Sequence, residues 1–208
     1  MLKKSSSHLS THPLHKHLLF FFLAILAAWI IGYHFGTFDQ VIHIPYLKKT
    51  ADPNLYPGDP FLKLRIDRPS FFWFPFIPLL RLGFLQGAMF LTHLLTIYGT
   101  IWMAWEIAFH LFKDPRVSLL ISIALIFPHL GFPNVQAIEF SLLNRTFTMP
   151  FLLGSMLLYL KDKKFLAYLL CGFSFNLHVI YATYVFIMFC VDEIISRDWD
   201  HWWEFPVN

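Results

Sequence analysis

The chain has 208 residues, of which 57% are hydrophobic and only 14% charged, with a formal net charge of +3. Soluble domains carry roughly 45–50% apolar and about 25% charged residues, so a chain of this composition and a mean hydropathy of +0.55 needs lipid rather than water as its solvent. The 25 Phe gather in runs instead of alternating with polar residues, which argues for lipid-facing helices and against a β-barrel, and the absence of a dense basic stripe argues against nucleic acid as a partner.

Residues 1–17 are polar and basic, with Lys3, Lys4, Lys16 and four His that read as a cytoplasmic tail. Uninterrupted apolar sequence follows over 18–33. Extended back to Leu14, it gives about 20 residues, enough for one crossing of a ~30 Å hydrocarbon core. The flanking lysines hold the N-terminus on the cytoplasmic side, and the further spans downstream argue for a retained helix rather than a cleaved signal.

Residues 34–70 form the one long polar segment. Phe38, Val41, Ile42 and Pro45 recur at helical spacing and predict a short amphipathic helix on the membrane surface, kinked or ended at Pro45. The next stretch, Asp52-Pro-Asn-Leu-Tyr-Pro-Gly-Asp-Pro60, is too rich in turn formers for a helix or a central strand. Residues 71–83 are apolar but hold Pro75, Pro78 and Arg81, as a re-entrant or interfacial piece would.

Spans are expected over 84–112, 117–132, 146–160 and 165–191. The basic turns Lys113–Arg116 and Lys161–Lys164 fall on one side of the membrane. The fold class is therefore all-α: a polytopic transmembrane helical bundle of about five spans over 18–191. Its N-terminus is inside, its C-terminus outside, and a polar interfacial segment follows at 192–208. Cys171 and Cys190 lie in apolar runs and read as buried thiols.

Candidate chemistry gathers in the two loops of the outer side. Asp39 and His43 are four apart and share a helical face, where a carboxylate and an imidazole suit a metal or a reacting hydroxyl, or simply give a surface helix its polar side. Arg68, just before the second apolar block, snorkels to lipid phosphate or clamps a phosphorylated substrate. Glu139 is the sole acid between Asp114 and Asp162. At a membrane edge it pairs with Arg145 or serves as a second ligand opposite Asp39. His178 sits inside the last apolar run, either as a hydrogen-bonded packing residue or as a functional one facing the protein interior. No P-loop, GxSxG, HExxH or zinc spacing occurs.

The first outer loop reads Tyr33-His-Phe-Gly-Thr-Phe-Asp-Gln-Val-Ile-His-Ile-Pro-Tyr46 and continues as Asp52-Pro-Asn-Leu-Tyr-Pro-Gly-Asp-Pro-Phe61. It resembles the N-terminal part of GT-C-type polytopic membrane glycosyltransferases and their uncharacterised bacterial relatives. The resemblance implies a sugar donor carried on a polyprenyl phosphate, used at the outer face of the plasma (inner) membrane. Asp39 would match the first-loop acid, as base or metal ligand, and Glu139 the second-loop acid. Arg68 and Arg145 would meet the lipid phosphate, His43 and His178 would line the substrate site, and Mg or Mn would be a candidate cofactor.

Two departures stand out: that family has about twice as many spans, and the second loop here carries Glu139 alone instead of a paired acidic motif. The first implies a fragment or one half of a split protein with a second membrane chain. A non-catalytic membrane subunit and a transporter component are the competing expectations.

Overall fold

The structure, a computed structural model, describes residues 13–65, 71–128 and 138–196, together with the residue pairs 130–131 and 135–136. Its elements are α1 (Pro13–Ile31), α2 (Gln40–Ala51), α3 (Pro60–Arg65), a 3-10 turn (Phe71–Trp73), α4 (Phe76–Arg81), α5 (Leu85–Phe112), α6 (Pro115–Leu125), strands β1 (Leu130–Gly131) and β2 (Val135–Gln136), α7 (Asn144–Leu160), α8 (Lys164–Leu177) and α9 (Val179–Ser196). Helix dominates, and the strands are a two-residue antiparallel pair.

Among the described residues, three helices are long and apolar enough to cross a membrane: α1, α5 and α9. On α1, Phe20, Leu23, Ala24 and Ala27 form a buried stripe at helical spacing, while Phe22, Ile25 and Trp29 are exposed on the other side. A helix that is apolar all round fits lipid on its outer face. The stripe packs on Ile97 and Ile101 of α5, with Ile126 beyond the end of α6. At 11 residues, α6 covers about 16 Å, roughly half of a hydrocarbon core. The span expected over 117–132 is therefore shorter than a crossing: helix gives way after Leu125 to the Pro128 break and the strand pair. The shorter apolar pieces are 71–81, 115–125 and 164–177.

The segment expected to run unbroken over 165–191 is two helices. At His178 the backbone is extended (φ −151°, ψ 98°), ending α8 and starting α9. The chain then doubles back: Cys171 Sγ meets the Ala182 carbonyl, Phe175 packs on Phe186, and Lys164 pairs with Glu193 at 2.8 Å. The end of α9 thus returns to the Lys161–Lys164 turn rather than to the opposite end, where an unbroken span over 165–191 would have put it; residues 197–208 lie outside the described residues. The break is possible inside apolar sequence because its polar backbone groups find partners. Asn144 Nδ2 donates to the Leu177 carbonyl at 3.3 Å, and the His178 amide donates to Ser174.

The surface helix also departs from expectation. Pro45 lies inside α2, which continues to Ala51. Its apolar residues point both ways: Ile44, Tyr46 and Leu47 are buried, whereas Val41 and Ile42 are exposed. The buried side rests on Phe72, Trp73 and Phe76, the region expected to be re-entrant or interfacial. Helices α5 and α7 run parallel in close contact. A Cβ at Gly99 would lie 3.0 Å from Pro150 Cβ, and one at Gly154 would touch Met103 and Leu170. This register puts the Lys113 and Lys161–Lys164 turns at one end of the bundle, and α2 with the 138–143 loop at the other.

Candidate functional site

The loop after α1 turns sharply. Gly36 (φ +76°) and Phe38 (φ +49°) both take the left-handed conformation, natural for the first and costly for the second. Phe38 is held there with its ring 4.7 Å from Phe140, and the His34 amide donates to the Phe140 carbonyl at 2.7 Å. The turn delivers Asp39 to the N-terminal end of α2, where its side chain does not cap the helix.

Asp39 instead faces Arg145, in the first turn of α7. Arg145 Nη1 donates to Asp39 Oδ2 at 2.5 Å, Nε to Glu139 Oε1 at 2.6 Å and Nη2 to Glu139 Oε2 at 3.1 Å. The Glu139 pairing is bidentate, the strongest form of carboxylate–guanidinium contact. Burial differs sharply across the cluster: side-chain exposure is 7% for Glu139, 26% for Arg145 and 46% for Asp39. Burial pushes the Glu139 carboxyl above the usual carboxylate range against the pull of Arg145, with the Asp39 charge adding a further push.

Of the six predicted site residues, three therefore converge: Asp39, Glu139 and Arg145. His178 lies within electrostatic reach of Arg145. Its pKa is lowered by burial and then by the Arg145 charge, and its Nδ1 accepts from the Tyr181 amide at 3.3 Å. His43 turns the other way and stacks on Trp73, with ring centroids 4.8 Å apart. Arg68 lies outside the described residues.

Among the described residues no three His, Cys, Asp or Glu side chains gather to hold a metal. Arg145 already engages three of the four oxygens of Asp39 and Glu139. This donor set does not fit a resident Mg or Mn ion.

Gln40 belongs to the site and has no mark in the sequence, where a glutamine on a surface helix reads as solvated polarity. Its side chain is fully buried. Its Oε1 accepts from the Gly36 amide at 2.7 Å and its Nε2 donates to the Leu142 carbonyl at 2.8 Å. It ties the Asp39 turn to the loop that carries Glu139. Deeper in α5, His93 is buried beside Tyr33, and among the described residues neither its ring nitrogens nor the Tyr33 hydroxyl has a hydrogen-bond partner.

Comparison with protein-family models, with characterised proteins and with solved structures yields no match for this chain.

Proposed function

We propose that the chain is a GT-C-like membrane glycosyltransferase, or the part of one that carries its acidic loops, transferring a sugar from a polyprenyl phosphate. The observation that carries this reading is that two acids from loops 100 positions apart in sequence meet on a single guanidinium at one end of an apolar bundle. A lipid-borne sugar is presented at that level, with its tail in the bilayer and its headgroup at the surface. The basic turns at the opposite end, together with Lys16, favour that end as cytoplasmic and the site as external on a plasma (inner) membrane.

The roles follow from exposure and bonding. Asp39 is half exposed and has one oxygen beyond its bond to Arg145, so it serves as the base toward an acceptor hydroxyl. The hydroxyl oxygen attacks the anomeric carbon, its proton passes to Asp39, and the bond to phosphate breaks with its electron pair leaving on the polyprenyl phosphate. Beyond its three bonds, Arg145 keeps one N–H on each of Nη1 and Nη2 for a phosphate oxygen. Glu139, buried and bidentate, holds Arg145 in place.

The test is sugar transfer in membranes carrying the full protein, using a panel of polyprenyl-phosphate-linked hexoses. Asp39→Asn lowers transfer by about 100-fold or more, the usual worth of a general base, while membrane insertion is unchanged. Undiminished transfer removes Asp39 from the mechanism.

A second reading, a non-catalytic membrane subunit, is favoured by the pairing of Arg145 with two carboxylates, as in a purely structural ion cluster. It predicts no transfer by the wild type and a second polytopic chain that co-purifies with it.

A further inference from the structure

The junction of α8 and α9 is one residue long, and that residue is a histidine. His178 closes α8 through its amide bond to Ser174 and opens α9 through its carbonyl, which accepts from Ala182. Its side chain occupies the position at which Ser, Thr, Asp or Asn usually caps a helix, with Nδ1 accepting from the Tyr181 amide three residues on. An imidazole can do this only when Nδ1 is unprotonated, with the ring hydrogen on Nε2.

Among the described residues, the charges near the ring are of both signs. From α7, Arg145 brings positive charge. Glu139 from the 138–143 loop and Asp39 before α2 are negative, but both are committed to Arg145. On α9 itself Tyr181 lies edge-on to the ring at 4.6 Å. The N-terminal end of the 18-residue α9 adds positive dipole. Protonating the ring therefore removes an acceptor, opposes the helix dipole and sets a second cation beside Arg145. All three effects act in the same direction.

We propose that the α8–α9 junction is a proton-operated joint: protonation of His178 frees the first turn of α9, loosens α9 from α8, and releases the Asn144–Leu177 tie at the foot of the helix that carries Arg145. The capped joint requires the neutral ring. Its contribution is thus complete above the ordinary imidazole pKa of about 6.5 and is lost as the pH falls below it. Acid would then act on the Asp39–Arg145–Glu139 cluster through α7, whatever reaction that cluster performs.

The fold supplies its own reporter. Cys171 on α8 is buried under α9, its Sγ 3.6 Å from the Ala182 carbonyl. In a Cys190→Ser background, disulfide exchange of Cys171 with a dipyridyl disulfide, which still reacts with thiols in acid, reads the opening of α9. Rates in lipid nanodiscs, normalised to the denatured chain, should rise about tenfold from neutral pH to about pH 5, the scale of a lost helix cap. His178→Asn keeps a capping acceptor that does not titrate, and its profile should be flat. A wild-type rate that does not change with pH overturns the proposal, and so does an equal acid response in His178→Asn. Neither readout involves sugar transfer, so the joint and the transferase reading stand or fall separately.

Discussion

Replacing Arg145 by Leu removes the one cation between two carboxylates, and the two arms should respond very differently. Glu139 is 7% exposed and loses both hydrogen bonds of its bidentate pair with Arg145. Stripping one member from a buried ion pair costs about 3–5 kcal/mol, because the charge left behind is uncompensated. Glu139 limits that loss by taking up a proton, which makes about 2–4 kcal/mol the expectation near neutral pH. Asp39 is 46% exposed, so water screens its arm, which should couple to Arg145 by only about 0.2–1 kcal/mol.

The pH dependence has a definite sign. Burial already raises Glu139, and losing Arg145 removes the opposing pull. A carboxyl raised in the folded state stabilises below its unfolded pKa, and that contribution is lost as pH rises through the folded value. The deficit of Arg145→Leu should therefore shrink toward about pH 5 and grow toward alkaline pH. The assay is unfolding in mixed micelles followed by tryptophan fluorescence, in a double-mutant cycle with Glu139→Leu and, separately, Asp39→Asn. Because an apolar replacement of both partners is tolerated far better than a lone charge, Glu139→Leu/Arg145→Leu should recover most of the loss. A double variant no more stable than Arg145→Leu, or an Asp39 coupling larger than that of Glu139, refutes the reasoning.

Gln40→Leu leaves the Gly36 amide and the Leu142 carbonyl without their buried partner, and should cost about 2–4 kcal/mol from two such groups in the same unfolding assay. A loss below about 1 kcal/mol would mean that the Asp39 turn and the Glu139 loop are held together by other contacts. Gly99→Leu drives a side chain into Pro150, where even a Cβ would sit at 3.0 Å, and should lower stability by about 1–3 kcal/mol or more. The same change at Gly87, whose added Cβ meets nothing within 4 Å among the described residues, serves as the control and should be nearly silent.

What could be read from the residues themselves is what depends on local chemistry. Apolar composition determines that the chain needs lipid, and the length of an apolar run identifies α1 and α5 directly. Turn formers at 52–60 keep that stretch out of regular structure up to Pro60, where α3 begins. The isolation of Glu139 in apolar sequence marked it, with Arg145 as its partner, because charge near lipid needs a reason, and the four-residue spacing to His43 marked Asp39.

What tertiary structure alone decided is who meets whom. The Asp39–Arg145 contact spans 106 positions, and the left-handed turn at Phe38 that aims Asp39 depends on packing against Phe140. Gln40 looked like ordinary surface polarity until the 138–143 loop closed over it. The break at His178 was invisible to hydropathy, which counts apolar residues but not the partners of backbone groups. It exists because Asn144, from another helix, satisfies the carbonyl that the break exposes. Side-chain chemistry along the chain sets which groups are costly to bury; only the packing of distant segments determines how each is compensated.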